Sequence, residues 1–413
     1  MSETPEHNRD HKRLGRELEL FTFSDTVGKG LPLWLPKGAT VRRELERFIV
    51  DEEIKRGYQH VLTPDIAKLD LYKKSGHYPY YADSMYAPIK IDDDEFMLRP
   101  MTCPHHFELY LSKPHSYREL PIRIAELAQL YRYEQSGELM GLQRVRSFCL
   151  ADAHIICKDE EQAVDEIDKA LDLIEYVCSV FGLELGKDYR YRLSQGDRDN
   201  KEKYAGNEDA WEKAEDLLRK LMQKRLGGNF EEAKGEAAFY GPKIDLQMKN
   251  VNGKEDTALT VQYDFIMPER FNLTYTGADG AAHQAFVVHR SSIGAIERIM
   301  AFLIEKYEGA FPLWLAPVQV AIVPVRENHV EAATALVTAL QEKNIRVELM
   351  GDDNSLGRRI HAAKSMKTPY TIVLGDKEIE SGNYTIELRD GSKVELSQSD
   401  LLAKLEDEIK NRK

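Results

Sequence analysis

Five residues in one short stretch have the types and spacing to hold a nucleotide: Arg132, Glu134, Arg144, Phe148 and Asp152. The planar fork of an arginine suits phosphate oxygens. An aromatic ring can stack on a purine, and a carboxylate can accept a hydrogen bond from an exocyclic amine. An ordinary charged hairpin carries the same residue types, so the stretch is a candidate site with a structural alternative.

Cys103, His154 and His289 are candidate metal ligands. Three protein ligands with an open fourth position are typical of a reactive zinc site. Their spacing is too wide for a local zinc motif. A buried cysteine is usually a small apolar side chain and a lone histidine a satisfied polar group, so spacing alone leaves both readings open.

A third candidate is the start of an apolar helix at Gly294–Arg298. Glycine permits close approach of a ligand, and Arg298 could meet a phosphate near a helix N-terminus. A solvated Glu-Arg pair on a helix is the alternative.

The elements that must position these residues mix helices and antiparallel strands, which predicts an α+β fold. Helical periodicity covers 39–56, 158–181 and 208–226. Strand patterns cover the following segments: 59–63, 131–133, 148–157, 236–248 and 258–264.

A composition shift near residues 312–317 predicts a second domain. Beyond it, strand, helix, strand, helix and strand alternate in this order: 318–324, 330–343, 346–350, 356–365 and 370–374. We therefore expect a mobile arm at 1–20, a core at 21–312 and a small α/β domain at 313–413.

The 413-residue chain has 42% apolar residues and a formal charge of -13, which exclude dominant disorder and a generally basic nucleic-acid binder. A membrane-spanning segment and a secretory signal are not expected. The four cysteines form no CxxC pair, which indicates a reducing, cytoplasmic setting without disulfides.

Taken together, these segments resemble the three signature motifs of class II aminoacyl-tRNA synthetases, at 56–64, 131–152 and 294–298. The resemblance is closer to the threonyl-tRNA synthetase family, and it covers the chain from about residue 11. It is carried by these segments: 30–38, 99–104, 151–154, 239–243, 288–290, 314–319 and 375–382.

This resemblance implies a six- or seven-stranded antiparallel sheet flanked by helices, followed by an α/β anticodon-binding domain. It implies a ligase that activates L-threonine with ATP and Mg²⁺ and transfers it to tRNA(Thr), as a homodimer through motif 1. It also implies that Cys103, His154 and His289 bind Zn²⁺.

The resemblance assigns roles to further residues. For ATP, Arg132 would contact the α-phosphate, Glu134 the adenine amine, Phe148 the base, and Arg144 and Arg298 the γ-phosphate. The threonine pocket and the transfer site would use these residues: Met101, Asp152, Tyr240, Lys243, Gln262 and His77. Glu380 and Arg389 would contact the anticodon, although a solvated surface pair is equally expected.

Three residues depart from the family pattern near the amino-acid pocket: Thr102 stands where asparagine is usual, Leu150 where glutamine is expected and Ala295 where serine is usual. Family members commonly carry an editing domain before the core, and we expect no self-editing from this chain. Two other readings stay open. One is a related synthetase for serine or proline, and the other is a catalytically silent paralogue that binds amino acid or RNA.

Overall fold

The computed structural model describes residues 9–204, 207–351 and 354–413. These form two compact units. One unit contains residues 25–31 and 46–300, and the other contains residues 9–24, 32–45 and 301–413. The first unit carries the candidate site, so its sheet is described in most detail.

The α-helices of the described residues, numbered in chain order, are these: α1 His11–Glu17, α2 Pro36–Lys55, α3 Leu69–Ser75, α4 His77–Tyr80, α5 Cys103–Leu111, α6 Glu160–Val180, α7 Glu208–Leu226, α8 Met267–Phe271, α9 Ile296–Tyr307, α10 Val330–Glu342, α11 Leu356–Ser365, α12 Asp376–Ser381 and α13 Gln398–Lys410.

The strands are numbered in the same way: β1 Phe21–Thr22, β2 Leu33–Trp34, β3 Gln59–His60, β4 Ile66–Lys68, β5 Ile89–Ile91, β6 Asp94–Leu98, β7 Ile122–Tyr131, β8 Ser147–Cys157, β9 Tyr189–Gln195, β10 Glu231–Lys234, β11 Lys243–Lys249, β12 Glu255–Asp264, β13 Thr274–Thr276, β14 Ala282–Gln284, β15 Phe286–Ala295, β16 Val320–Pro324, β17 Val347–Leu349, β18 Tyr370–Leu374, β19 Asn383–Leu388 and β20 Lys393–Ser397.

The main sheet of the first unit has eight strands in the order β10-β9-β11-β12-β15-β8-β7-β3. All of its internal pairs are antiparallel, and the two edge pairs, β10 with β9 and β3 with β7, are parallel. The α+β prediction is therefore confirmed. The expected count of six or seven strands is wrong for the described residues, because short strands join the sheet at both edges.

The register of the central strands determines which side chains share a face. His289 on β15 lies directly opposite His154 on β8 and opposite Gln262 on β12. Two residues along, Ser291 pairs with Asp152. Since side chains alternate between faces with a period of two, these residues all lie on one face of the sheet.

Helix α6 covers the sheet through an apolar stripe that includes the buried residues Ile167, Leu171 and Ile174. Asp159 caps its first turn by accepting a hydrogen bond from the backbone N–H of Gln162 at 2.8 Å. An ion pair between Arg123 of β7 and Glu166 of α6 adds a charged tie between helix and sheet.

In the second unit, β16 pairs in parallel with β17 and β18, and β19 and β20 extend the sheet antiparallel. Its core includes Val320, Ile322, Leu336, Ile372 and Leu401. The alternation predicted for 318–374 is confirmed, but α12, the two antiparallel strands and α13 follow it without having been predicted.

The start of the chain differs from the expected arm. Residues 1–8 lie outside the described residues, but residues 11–17 form α1, whose Leu14 is buried. Asp10 caps this helix by accepting a hydrogen bond from the Lys12 backbone N–H. Among the residues that the structure describes, no helix combines the length and apolarity that a membrane crossing requires.

Candidate active site

A cavity of about 250 Å³ opens on the face of the main sheet defined by His154, His289 and Gln262. Its walls come from strands β8, β12 and β15 and from the segments around them. The sequence-predicted residues that line it are Met101, Cys103, Arg132, Glu134, Arg144, Phe148, Asp152, His154, Tyr240, Gln262, His289 and Arg298. All three candidate sites predicted from the sequence therefore contribute residues to one cavity.

Three soft or borderline donors lie together at one side of this cavity. The ligand atoms of Cys103, His154 and His289 are all within 4.8 Å of one another, and the three residues are buried. The sheet supplies the two histidines as cross-strand neighbours, and Cys103 is the first residue of α5. Residues that are far apart in sequence thus form one compact donor set.

The second ring nitrogen of each histidine is already engaged. His289 Nε2 lies 2.7 Å from Asp264 Oδ2, and His154 Nδ1 lies 2.8 Å from His106 Nδ1. Burial and the neighbouring His289 and His106 lower the pKa of His154 well below its ordinary value, which favours the neutral imidazole. Each histidine therefore has one nitrogen left for the donor set, as a metal ligand requires.

His77 lies behind the donor set. Its Nε2 is 3.8 Å from Cys103 Sγ, and its Nδ1 is 2.8 Å from Ser75 Oγ. Burial, with His289, Arg132 and Arg270 nearby, lowers the pKa of His77 to about 3. The ring is therefore neutral, and it contacts Cys103 without belonging to the residues that line the cavity.

On the other side of the cavity, the Arg132 guanidinium lies 5.1 Å from the centre of the Phe148 ring. Its Nη2 is 3.5 Å from Met101 Sδ. Burial lowers the pKa of Arg132, but an arginine remains charged at neutral pH. A cation beside an aromatic face can bind a phosphate next to a stacked base.

Glu134 and Arg144 form an ion pair with each other. Arg144 Nε donates to Glu134 Oε2 at 2.8 Å, and Arg146 donates two hydrogen bonds to the Glu134 backbone carbonyl. The Arg144 side chain is 41% exposed, so it can turn toward a ligand. The expected contacts of these two residues with ATP require this pair to open.

Arg298 is held by two backbone carbonyls. Its Nε donates to Gln143 O at 3.0 Å and its Nη1 to Thr257 O at 2.5 Å. Gly294 has φ +75°, and an added Cβ would lie 2.2 Å from Ala258 O. This glycine is therefore required for the approach of two backbones, rather than for the approach of a ligand as the sequence suggested.

Tyr240 and Lys243 point to different partners. The Tyr240 hydroxyl donates to Gln262 Oε1, and its ring stacks on His289 with centroids 4.6 Å apart. Lys243 Nζ lies 2.8 Å from the buried Asp245 Oδ2. Within the described residues, the walls of the cavity include Tyr240 and Gln262 but not Lys243.

The departures Leu150 and Ala295 are cross-strand partners, and both line the cavity. They pack against the apolar cluster that contains Phe148. Thr102 immediately precedes Cys103 at the start of α5 and is buried. Two of the three departures therefore change one continuous surface from polar to apolar.

Glu380 and Arg389 belong to the other unit. Glu380 lies exposed on α12. Arg389 donates from Nε to Lys367 O at 2.5 Å and from Nη1 to Ala310 O at 2.9 Å. Both residues are exposed, and Arg389 already has backbone partners.

The cavity is also lined by residues that the sequence patterns did not indicate: Gln143, Thr257, Ala258 and Thr260. A usable signal was present for two of them. Ala258 and Thr260 lie four and two positions before Gln262 on β12, and alternation puts them on its face of the strand. His106, Glu126 and Asp264 were also missed, since single polar residues in core elements have no distinguishing pattern.

Comparison with known proteins shows which class of proteins the chain resembles. Residues 86–307 match the tRNA synthetase class II core domain (G, H, P, S and T), and residues 319–408 match an anticodon binding domain. The core of the chain thus belongs to the class II tRNA synthetase family, and it contains the whole cavity described above.

The relatives define the family within that class. A threonine–tRNA ligase from Geobacillus sp. (strain WCH70) is 50% identical over 404 residues, which are 97% of this chain and 62% of that protein. A second threonine–tRNA ligase, from Staphylococcus aureus (strain bovine RF122 / ET3-1), is 49% identical over 408 residues. These residues are 98% of this chain and 62% of that protein. The chain spans less than two thirds of the length of these curated relatives.

A solved structure covers the same region. A crystal structure described as the RNA binding domain of threonyl-tRNA synthetase from Cryptosporidium parvum Iowa II is 33% identical, with a TM-score of 0.90. The match covers 97% of this chain and 98% of that one. The chain belongs to the threonyl-tRNA synthetase family.

Proposed function

We propose that the protein is a threonine–tRNA ligase, which forms threonyl-adenylate from L-threonine and ATP and transfers the threonyl group to tRNA(Thr). The observation that carries this proposal is the single cavity with Cys103, His154 and His289 at one side and Arg132 and Phe148 at the other. One half suits a small ligand with an amine and a hydroxyl, and the other half suits a nucleotide.

In the first step, the threonine carboxylate attacks the α-phosphate of ATP, and pyrophosphate leaves. Arg132 would stabilise the charge that develops on the α-phosphate, while Phe148 stacks on the adenine. Glu134 would accept a hydrogen bond from the adenine amine, and Arg144 and Arg298 would hold the γ-phosphate. Such a site works mainly by positioning and charge neutralisation, and Mg²⁺ would accompany the ATP phosphates.

The donor set fits Zn²⁺, because one sulfur and two imidazole nitrogens converge and each imidazole has its other nitrogen engaged. Cys103, His154 and His289 would hold the ion. When bound, zinc would supply a Lewis acid to which both the amine and the β-hydroxyl of threonine could bind. The thiol must ionise to become a ligand, and burial with the nearby Asp152 and Asp264 raises the pKa of Cys103 without a cation.

Selectivity then follows from the hydroxyl. Asp152 would accept a hydrogen bond from it, Met101 would border the methyl, and Tyr240 with Gln262 would orient the amine. Valine lacks the hydroxyl, and a site built for a hydroxyl rejects such an analogue by roughly 10⁴–10⁵. Serine lacks only a methyl group, which is worth about 1–3 kcal/mol.

For the transfer step, His77 would lie close to the tRNA terminal ribose. Lys243 would contribute on the phosphate side only after leaving Asp245, from which its Nζ is 2.8 Å away. The residues proposed to meet the anticodon are Glu380 and Arg389. We further propose a homodimer through residues 56–64 and a division between core and anticodon domain at residue 312.

Amino-acid-dependent exchange of pyrophosphate into ATP tests the proposal. We expect exchange with threonine, weaker exchange with serine and none above background with valine. A Cys103→Ser variant should lose the threonine-dependent signal, while Cys178→Ser, which changes a buried cysteine of α6, should keep it. Absence of exchange with all three amino acids in the zinc-loaded parent would refute the ligase activity.

A further inference from the structure

A chain of side-chain contacts leads from the donor set into the core. His154 Nδ1 lies 2.8 Å from His106 Nδ1, and His106 Nε2 lies 3.2 Å from Glu126 Oε2. His154, His106 and Glu126 each have 1% exposure or less. No role assigned above to the cavity residues uses His106 or Glu126.

Glu126 is the fixed end of this chain. Its carboxylate accepts hydrogen bonds from the Thr63 backbone N–H and hydroxyl and from Arg99 Nη1. Burial alone would raise its pKa, but hydrogen bonds from His106 and Thr63 and the Arg99 charge lower the pKa to about 2. An ionised carboxylate can only accept, so the hydrogen between Glu126 and His106 belongs to His106 Nε2.

The remaining hydrogens then have one arrangement for a neutral His106. With its hydrogen on Nε2, His106 has only a lone pair at Nδ1, and the hydrogen in the 2.8 Å contact must come from His154 Nδ1. His154 in turn is left with a lone pair at Nε2. We propose that Glu126 and His106 act as a positioning relay that fixes the tautomer of His154 and directs its Nε2 lone pair toward Cys103 and His289.

His289 is also supported by a buried carboxylate, which contacts its ring directly and not through a second imidazole. Asp264 Oδ2 lies 2.7 Å from His289 Nε2, while Oδ1 accepts from the backbone N–H groups of Ile266 and Met267 at 2.9 Å. Outer partners of this kind orient metal-binding imidazoles. The donor set is therefore supported from two sides, directly by Asp264 and through a second imidazole by Glu126.

Helix α5 carries both a donor of the set, Cys103, and the second imidazole, His106. Cys103 and His106 are three residues apart on this helix, so both side chains lie on one face. Glu126 on β7 is opposite Asp152 on β8, one alternate position away from His154. The helix thus delivers both a donor and the relay, and any rotation of α5 would displace the two together.

This inference rests on the zinc site of the proposed function, and metal binding tests both separately from activity. Asparagine at position 106 places an amide oxygen near the original Nδ1, whereas glutamine reaches the region of Nε2. We therefore expect His106→Asn to keep zinc affinity within a few-fold of the parent. His106→Gln and His106→Phe should weaken it by about 10–100-fold.

Zinc affinity would be measured by competition with a chromophoric chelator, and Co²⁺ absorption would report the ligand geometry. His105→Asn is the matched control, since His105 is the neighbouring buried histidine and packs near Tyr72; it should bind as the parent does. If His106→Phe fails to fold, the difference in zinc affinity between His106→Asn and His106→Gln still tests the relay.

The outcomes separate the two ideas. A parent protein that binds neither Zn²⁺ nor Co²⁺ would overturn the zinc site and the relay with it. A parent that binds zinc, with Gln and Phe variants of equal affinity and an unchanged Co²⁺ spectrum, would overturn the relay alone. Equal weakening by Asn, Gln and Phe would assign His106 a packing role and would also overturn it.

Discussion

Arg144 illustrates how single residues in the cavity are engaged before a ligand arrives. It is paired with Glu134 at 2.8 Å, and both are proposed to contact ATP at opposite ends. The pair is partly exposed, so its contribution to stability is small, about 0–1 kcal/mol. Separating the two charges is therefore a minor cost of nucleotide binding.

Replacing Arg144 with alanine should lower kcat/KM for ATP in pyrophosphate exchange by about 10²–10³, because one charged contact to the phosphates is lost. The melting temperature should change little. Arg118, an exposed arginine over the Tyr117 ring, offers the control Arg118→Ala. A variant of Arg144 with parental kcat/KM for ATP would exclude a phosphate contact.

Leu150 and Ala295 form another residue-scale unit, because they are cross-strand partners within one apolar cluster. We expect Leu150→Gln and Ala295→Ser to be non-additive, with a coupling of about 0.5–1 kcal/mol in urea unfolding. The serine hydroxyl would give the new amide a partner. The same Leu150 change combined with Leu185→Gln, at an exposed position, should be additive; additivity in both cycles would contradict the coupling.

At the scale of elements, Arg123 and Glu166 join β7 to α6 by a bidentate pair, with Nε and Nη2 at 2.5 and 2.7 Å from the two carboxylate oxygens. Lys169 adds a contact at 2.9 Å. Burial raises the pKa of Glu166, but the hydrogen bonds and charges of Arg123 and Lys169 lower it overall. The ionised form is thus stabilised in the folded protein.

Arg123→Ala leaves this buried carboxylate with Lys169 alone, and we expect a loss of about 3 kcal/mol in the free energy of unfolding near pH 7. Since the folded pKa of Glu166 is lowered, the stabilisation is present above the unfolded pKa near 4.5 and is lost as pH falls through the folded pKa. The difference between parent and variant should therefore shrink in acid.

Urea unfolding at pH 7 and at pH 4 measures this difference. Lys169→Ala removes an exposed partner of the same carboxylate and should cost at most about 1 kcal/mol at pH 7. A pH-independent penalty for Arg123→Ala would indicate lost packing instead of lost charge pairing.

The elements also show what sequence patterns can predict. Helix α7 at 208–226 agrees with its prediction to the residue, since Asn207 caps its start and Gly227 ends it in a left-handed conformation. Strand β7 was recognised only at its end, because the buried Glu126 interrupts the apolar face formed by Ile124, Ala128 and Leu130.

For the candidate site, the sequence predicted many residue identities but not the contacts between the residues. Many of its cavity residues were named from motifs, but the pairing of Leu150 with Ala295 and the contact of His106 with His154 depend on strand register and helix rotation. A sequence contains no direct measure of either quantity. Gly294 is a further example, because its motif suggested a ligand and the fold uses it beside Ala258.

At the scale of the whole molecule, the two compact units carry separate parts of the proposed reaction. The cavity lies within one unit, and the anticodon binding domain at 319–408 lies within the other. In the proposed reaction, amino-acid activation would need only the side chains of the unit that contains the cavity, while recognition of tRNA would also involve the other unit.

Glu380→Ala should raise KM for tRNA in aminoacylation by about 3- to 10-fold, as expected when one contact of roughly 1 kcal/mol is lost. Threonine-dependent pyrophosphate exchange should not change, because the residue is outside the cavity. Glu331→Ala, at an exposed position on α10, serves as the control for a general charge effect. Equal KM values for the parent and the Glu380 variant would remove this residue from the anticodon contact.

The wide separation of Cys103, His154 and His289 along the chain has a consequence for the time course of folding. Contacts between distant residues form late, because closing long loops costs entropy before the contacts repay it. No fragment that lacks β8 or β15 can bring the three donor atoms together. Metal uptake by a refolding chain would therefore occur only once the central strands have their final register. The rate of metal uptake would then report the rate at which that register forms.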